Sequence, residues 1–167
     1  MAQKKSKKNH KISDHFSKRD FVCKCGNCES SVKISLGLIG GLELLRSKTR
    51  NRINIVKGFV CQDAAEKSGQ VKRNHHTLGI AAEITVDNMK PKDVFLLAEE
   101  VPEFMGIGLD LTHNVLHVDT RKGKDRTLWV IEEGRQLELD SQVRQRLFPA
   151  QESQPIVESA DAGASRA

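Results

Sequence analysis

Six histidines and four cysteines are the residues of this 167-residue chain whose types and spacing could do chemistry. His10 and His15 lie in or beside a lysine-rich start, whereas His75, His76, His113 and His117 fall at the edges of strands that the sequence predicts. His76 opens the segment H-T-L-G-I-A-A-E, in which Gly79 and Ala81 precede Glu83. A loop histidine and a carboxylate seven residues on can reach one point, and the small residues between them permit close backbone approach. His117 opens H-V-D, which sets Asp119 on the same strand face. Two imidazoles, a carboxylate and one open water position make the ligand set of a catalytic zinc site, which lowers the pKa of water toward ~7 and polarises a carbonyl. The pattern predicts zinc-dependent hydrolysis.

The cysteines form a second constellation. Cys23, Cys25 and Cys28 read C-x-C-x-x-C, and Cys61 lies far along the chain, at a strand end. Three states are open to them: a tetrahedral structural zinc site, a disulfide stapling Cys61 to the N-terminal segment, or reduced thiols without a metal.

These residues must be positioned by a body of about residues 14–148, flanked by a lysine-rich segment, 1–13, and an Ala-, Ser-, Glu- and Gln-rich end, 149–167, both expected to be disordered for lack of large apolar residues. Ile34, Leu38, Leu42 and Leu45 line one face of a helix over about 31–48, interrupted by Gly37, Gly40 and Gly41, which suggest close packing or a break. Residues 53–59 alternate as a strand and 79–86 form another, while 91–101 begin with Pro91 and carry Val94, Leu97 and Val101 at helical spacing. Residues 106–111, 114–120 and 126–132 complete the pattern as strands between turn-forming residues. Strand runs with two segregated helices indicate an α+β domain with a mainly antiparallel sheet.

The chain resembles the D-alanyl-D-alanine carboxypeptidase-like metallopeptidases, which are related to the hedgehog-type zinc fold and cut the peptide stems of bacterial cell walls. The resemblance rests on His15-Phe16-Ser17 through Phe21 to Gly26, Gly58-Phe59-Val60-Cys61, His76 through Glu83, Gly106-Ile107-Gly108, His117-Val118-Asp119 and Trp129, in family order over about residues 14–131. It implies helices packed on one side of the sheet, Zn2+ held by His76, Glu83 and His117, and Asp119 as an orienting or substrate-side carboxylate. It also implies a peptidoglycan stem peptide as substrate and attack by a zinc-activated water on an amide carbonyl. Glu83 stands where the family usually has Asp, Val60 where it usually has Arg, Asn74 where it often has Ser, and Asn114 near the usual base position. Asn114 takes no proton at neutral pH, so His113 or Asp110 would be the base; Lys57, Lys72 and Arg73 are candidates for the missing cation. A non-catalytic zinc module of the same fold, binding a wall peptide or a protein partner, is the alternative these departures imply.

Composition excludes other classes. No apolar run approaches the ~20 residues that a bilayer span needs. Of the net charge of +5, residues 1–19 carry +6, from seven Lys and Arg against Asp14, so −1 falls on the rest. A solvated basic tail is the ordinary meaning of that distribution, and nucleic acid is not the expected partner. The start lacks the apolar stretch of a secretory signal, which favours the cytoplasm; action on cell wall would then need lysis, a holin-type route or a recycling role.

Overall fold

A computed structural model of the protein describes residues 11–26, 28 and 31–149. Most of the two terminal segments expected to be disordered, residues 1–10 and 150–167, lies outside the described residues. Lys11 pairs with Ser17 in an isolated bridge and the Ile12 amide donates to the Phe16 carbonyl at 2.9 Å, a turn that directs Phe16 into the core.

The described chain is α+β, with one six-stranded mixed sheet and four α-helices. The helices are α1 (Leu36–Thr49), α2 (Gln62–Lys67), α3 (Pro91–Glu99) and α4 (Ser141–Leu147). The strands are β1 (Ile53–Lys57), β2 (Ala81–Val86), β3 (Gly106–Asp110), β4 (Val115–Asp119), β5 (Thr127–Glu132) and β6 (Arg135–Glu138), in sheet order β1-β2-β4-β3-β5-β6. All pairings are antiparallel except β3 with β5, so the sheet is mainly antiparallel, as its sequence suggested. Among the described residues no helix is long and apolar enough to cross a membrane.

Alternation along the strands sorts their side chains. Ile84, Leu116, Leu109 and Val130 form one cross-strand row, Ala82, Val118, Ile107 and Leu128 the next, and both belong to the core. Helix α3 packs on β2, β3 and β4 and against α1, contributing Val94, Phe95 and Ala98, while α1 contributes Leu38, Leu42 and Leu45. Helix α1 begins at Leu36, later than its apolar spacing suggests, because the Ser35 amide is taken by the Gly79 carbonyl at 2.8 Å and holds residues 31–35 out of the helix. Of its three glycines only Gly41 is in close contact, since a Cβ there would meet the Phe104 ring at 2.6 Å.

Two helices beyond the expected pair, α2 and α4, and a sixth strand were not visible in the apolar pattern. Strand β6 reads R-Q-L-E and forms through its turn, in which Glu133 (φ 49°) and Gly134 (φ 75°) both take the left-handed conformation of a tight two-residue hairpin. Helix α4 is started by Asp140, whose carboxylate accepts from the Val143 amide at 2.8 Å, and is fastened by buried Leu147 and by Arg144, which grips Glu99 with two bonds of 2.8 Å. Asp140→Ala is expected to lower stability by about 1 kcal/mol in urea unfolding, the usual worth of an N-cap. An unchanged unfolding midpoint would show that Leu147 and Arg144 hold α4 without the cap.

Candidate metal centre

The face of the sheet opposite the core carries the chemistry in a single transverse row. Lys57 on β1 pairs with Glu83 on β2, Glu83 with His117 on β4, His117 with Gly108 on β3, and Gly108 with Trp129 on β5. Strict alternation would turn Lys57 to the same side as Ile53 and Ile55, toward the core. A bulge between Ile55 and Lys57 absorbs Val56 and turns Lys57 to the site, where its Nζ lies 3.1 Å from Glu83 Oε1. Gly108 is required by its neighbour: a Cβ would meet the Trp129 ring at 2.2 Å, and without one the indole lies across the strand to 5.2 Å from the His117 ring.

His76 reaches this row from the loop before β2. Asn74 sets that loop, its Oδ1 accepting from the Thr77 amide at 3.0 Å while its own amide donates to Thr77 Oγ1 at 2.9 Å. Asn74 therefore closes the turn with its own side chain. The His76 ring is buried, and its Nδ1 lies 2.9 Å from the Gly58 carbonyl. A carbonyl only accepts, so Nδ1 carries the proton and Nε2 presents its lone pair, 3.7 Å from Glu83 Oε1. Burial, aided by the neighbouring His117, pushes His76 down to about 4, so the imidazole is neutral at pH 7, the form that ligates metal.

His117 is oriented from behind. Its Nε2 donates to Asp119 Oδ2 at 2.9 Å, which leaves Nδ1 with the lone pair that can ligate a metal. Asp119 is fully buried and gripped by Arg121, Nε to Oδ1 at 2.8 Å and Nη2 to Oδ2 at 2.6 Å. Burial alone would raise its pKa, but the bonds from Arg121 and His117 outweigh that and hold the carboxyl well below the usual carboxylate range. Gly106 leaves the room, since a Cβ there would meet Asp119 Oδ2 at 2.2 Å. Of the two roles open to Asp119, this position supports orientation of His117.

One ligand atom from each of His76, Glu83 and His117 lies within 4.8 Å of the others, so the three residues fit a common metal ion. His75, His117 and Asp119 meet the same distance limit, yet both Asp119 oxygens are occupied by Arg121, which disfavours an ion there. The first set lies in a cavity of about 740 Å³ whose lining includes Lys57, Asn74, His75, Asp110, His113 and Trp129. Asp110 and His113 sit on its lining as a hydrogen-bonded pair, Oδ2 to Nδ1 at 2.8 Å, at the β3–β4 turn. Burial raises the Asp110 pKa, but bonds from His113 prevail and the carboxyl is held below its ordinary value. Lys72 pairs with Glu66 at 3.3 Å, and neither it nor Arg73, Val60 or Asn114 lines this cavity.

The sequence pattern marks His75 only as a histidine at a strand edge, with no role, and does not include Arg121. Arg121 continues the period of two through His117 and Asp119, a signal that was present but ran past the strand end; His75 offered only its adjacency to His76. No model of a known protein family matches the chain, and neither does any curated protein or solved structure.

Proposed function

We propose that the protein is a zinc-dependent peptidase of the D-alanyl-D-alanine carboxypeptidase type, with the hedgehog-type fold, acting on peptidoglycan stem peptides. The observation that carries the reading is the convergence of His76, Glu83 and His117 on one wall of a cavity large enough for a short peptide. A zinc ion held by these three would polarise the scissile carbonyl and acidify a water for attack.

The remaining work falls to the chain. Gly58 and Asp119 fix the tautomers and orientations of the two imidazoles, and Arg121 keeps Asp119 ionised in its buried position. The Asp110–His113 pair is the acceptor for the proton released on attack, on the same sheet face as Gly108 and two residues along β3. Lys57 supplies the only lysine or arginine cation lining the cavity among the described residues, in place of the arginine absent at Val60, and binds a substrate carboxylate or developing oxyanion.

Zinc-loaded protein incubated with a stem pentapeptide ending in D-Ala-D-Ala, or with intact peptidoglycan, is expected to release cleaved peptide detectable by mass spectrometry. His76→Ala should abolish release, and His113→Ala should depress turnover with zinc still bound. Inactivity of fully zinc-loaded protein on both substrates would overturn the peptidase reading. The apolar Val60 and the exclusion of Asn114 from the cavity favour a second reading, a module that holds zinc and peptide without cutting, and retention of stem peptide by that inactive protein would support it.

A further inference from the structure

The four cysteines lie outside the His76 cavity and take no part in the reaction proposed for it. We propose that Cys23, Cys25, Cys28 and Cys61 bind a structural zinc ion through four thiolates, clamping the N-terminal segment onto the junction between β1 and α2.

The argument begins with convergence. All four Sγ atoms lie within 4.8 Å of one another, and Cys25 Sγ is 3.8 Å from Cys61 Sγ. A tetrahedron with Zn–S bonds of ~2.3 Å has edges of ~3.8 Å, so this separation already has the span of two ligands on one ion. A disulfide joins two sulfurs and gives the other pair no reason to meet at the same point. One thiophilic cation uses all four, and soft thiolate donors select zinc over hard ions such as magnesium or calcium.

Local backbone geometry supports the same assignment. Gly26, directly after Cys25, takes φ +76°, a left-handed backbone conformation that glycine adopts without steric cost. The Cys61 amide donates to Cys23 Sγ and the Ala64 amide to Cys61 Sγ, each at 3.4 Å, so backbone amides already fix these two sulfurs in place and tie the Cys23 segment to Cys61. The ion would therefore cross-link segments separated by 38 residues in sequence. Those segments are already in register: the Phe59 amide donates to the Phe21 carbonyl at 2.9 Å, and a Cβ on Gly58 would meet Phe21 Cα at 2.6 Å. A chain without peptidase activity would carry this site all the same.

The test is the metal content of the full chain, purified under reducing conditions without a histidine tag, in a His76→Ala/His117→Ala background that disables the other candidate centre. About one equivalent of zinc should remain by elemental analysis and be released by a mercurial that attacks thiolates. Co2+ in its place should give the intense sulfur-to-metal charge-transfer absorption of a tetrathiolate, and Cys23→Ser/Cys61→Ser should abolish both signals. If the cysteine variant does not fold, the histidine background alone still decides. Absence of zinc from that background, zinc that the mercurial does not release, iron in its place, or an intact mass lower by two or four hydrogens, marking disulfides, would each overturn the proposal.

Discussion

Asp119→Ala is expected to lower folding stability by about 3 kcal/mol and to weaken zinc binding at the His76 centre by about ten- to a hundredfold. The stability loss follows from what the carboxylate leaves behind. Asp119 is fully buried and takes three side-chain hydrogen bonds, two from Arg121 and one from His117. Breaking a buried ion pair from one side costs about 3–5 kcal/mol, because the partner's charge stays in place without compensation. The Arg121 side chain is 26% exposed, so water recovers part of that loss and the lower end of the range applies. The loss of affinity has a separate cause, since without Asp119 the His117 ring can rotate and exchange its tautomer. Asp119→Asn separates the two effects: it keeps the volume and an acceptor for Arg121 while removing the charge that fixes His117. Urea unfolding of the metal-free protein and competitive zinc titration are the two measurements. A stability change below about 1 kcal/mol would mean that Arg121 swings to solvent, and unchanged zinc affinity would remove Asp119 from any role behind His117.

The same residues show how much of the site was legible. His117 and Asp119 are separated by two on a strand, and that spacing alone put them on one face; the seven residues from His76 to Glu83 admitted convergence because Gly79 and Ala81 lie between them. The α+β class and five of the six strands were readable from apolar alternation. Strict alternation would turn Lys57 to the wrong face, because a bulge has no apolar signature and inverts the facing of whatever follows it. Strand β6 and helix α4 were hidden for a related reason: their stability comes from a left-handed hairpin turn, an aspartate cap and two arginine–glutamate grips, and not from an apolar stripe. In the sequence Gly108 stands only as one residue of G-I-G. Its physical purpose, to let Trp129 lie over the strand against His117, depends on a parallel β3–β5 pairing that strand periodicity cannot specify.

Gly79→Ala should be the most damaging glycine substitution in the loop that carries His76, at about 2–5 kcal/mol. Gly79 has φ +71°, where an L side chain costs about 1–2 kcal/mol. The added Cβ would also meet the Lys33 carbonyl oxygen at 2.2 Å and its carbon at 2.4 Å, backbone atoms with no rotamer to yield. Overpacking of this kind adds about 1–3 kcal/mol. Relief requires the 33–35 segment to move away, which breaks the bond from the Ser35 amide to the Gly79 carbonyl and disturbs the start of α1. The same loop is closed by the Gly79 amide donating to the His76 carbonyl at 3.1 Å, so zinc affinity should fall with stability. Gly69→Ala is the matched control: at φ +76° it is also left-handed, but a Cβ there meets nothing within 4 Å, so only the conformational cost applies. Thermal unfolding of the two metal-free variants should therefore place Gly79→Ala well below Gly69→Ala. Equal losses would mean that the Lys33 backbone gives way freely, and that the loop holding His76 is positioned by Asn74 and Gly58 without support from the segment before α1.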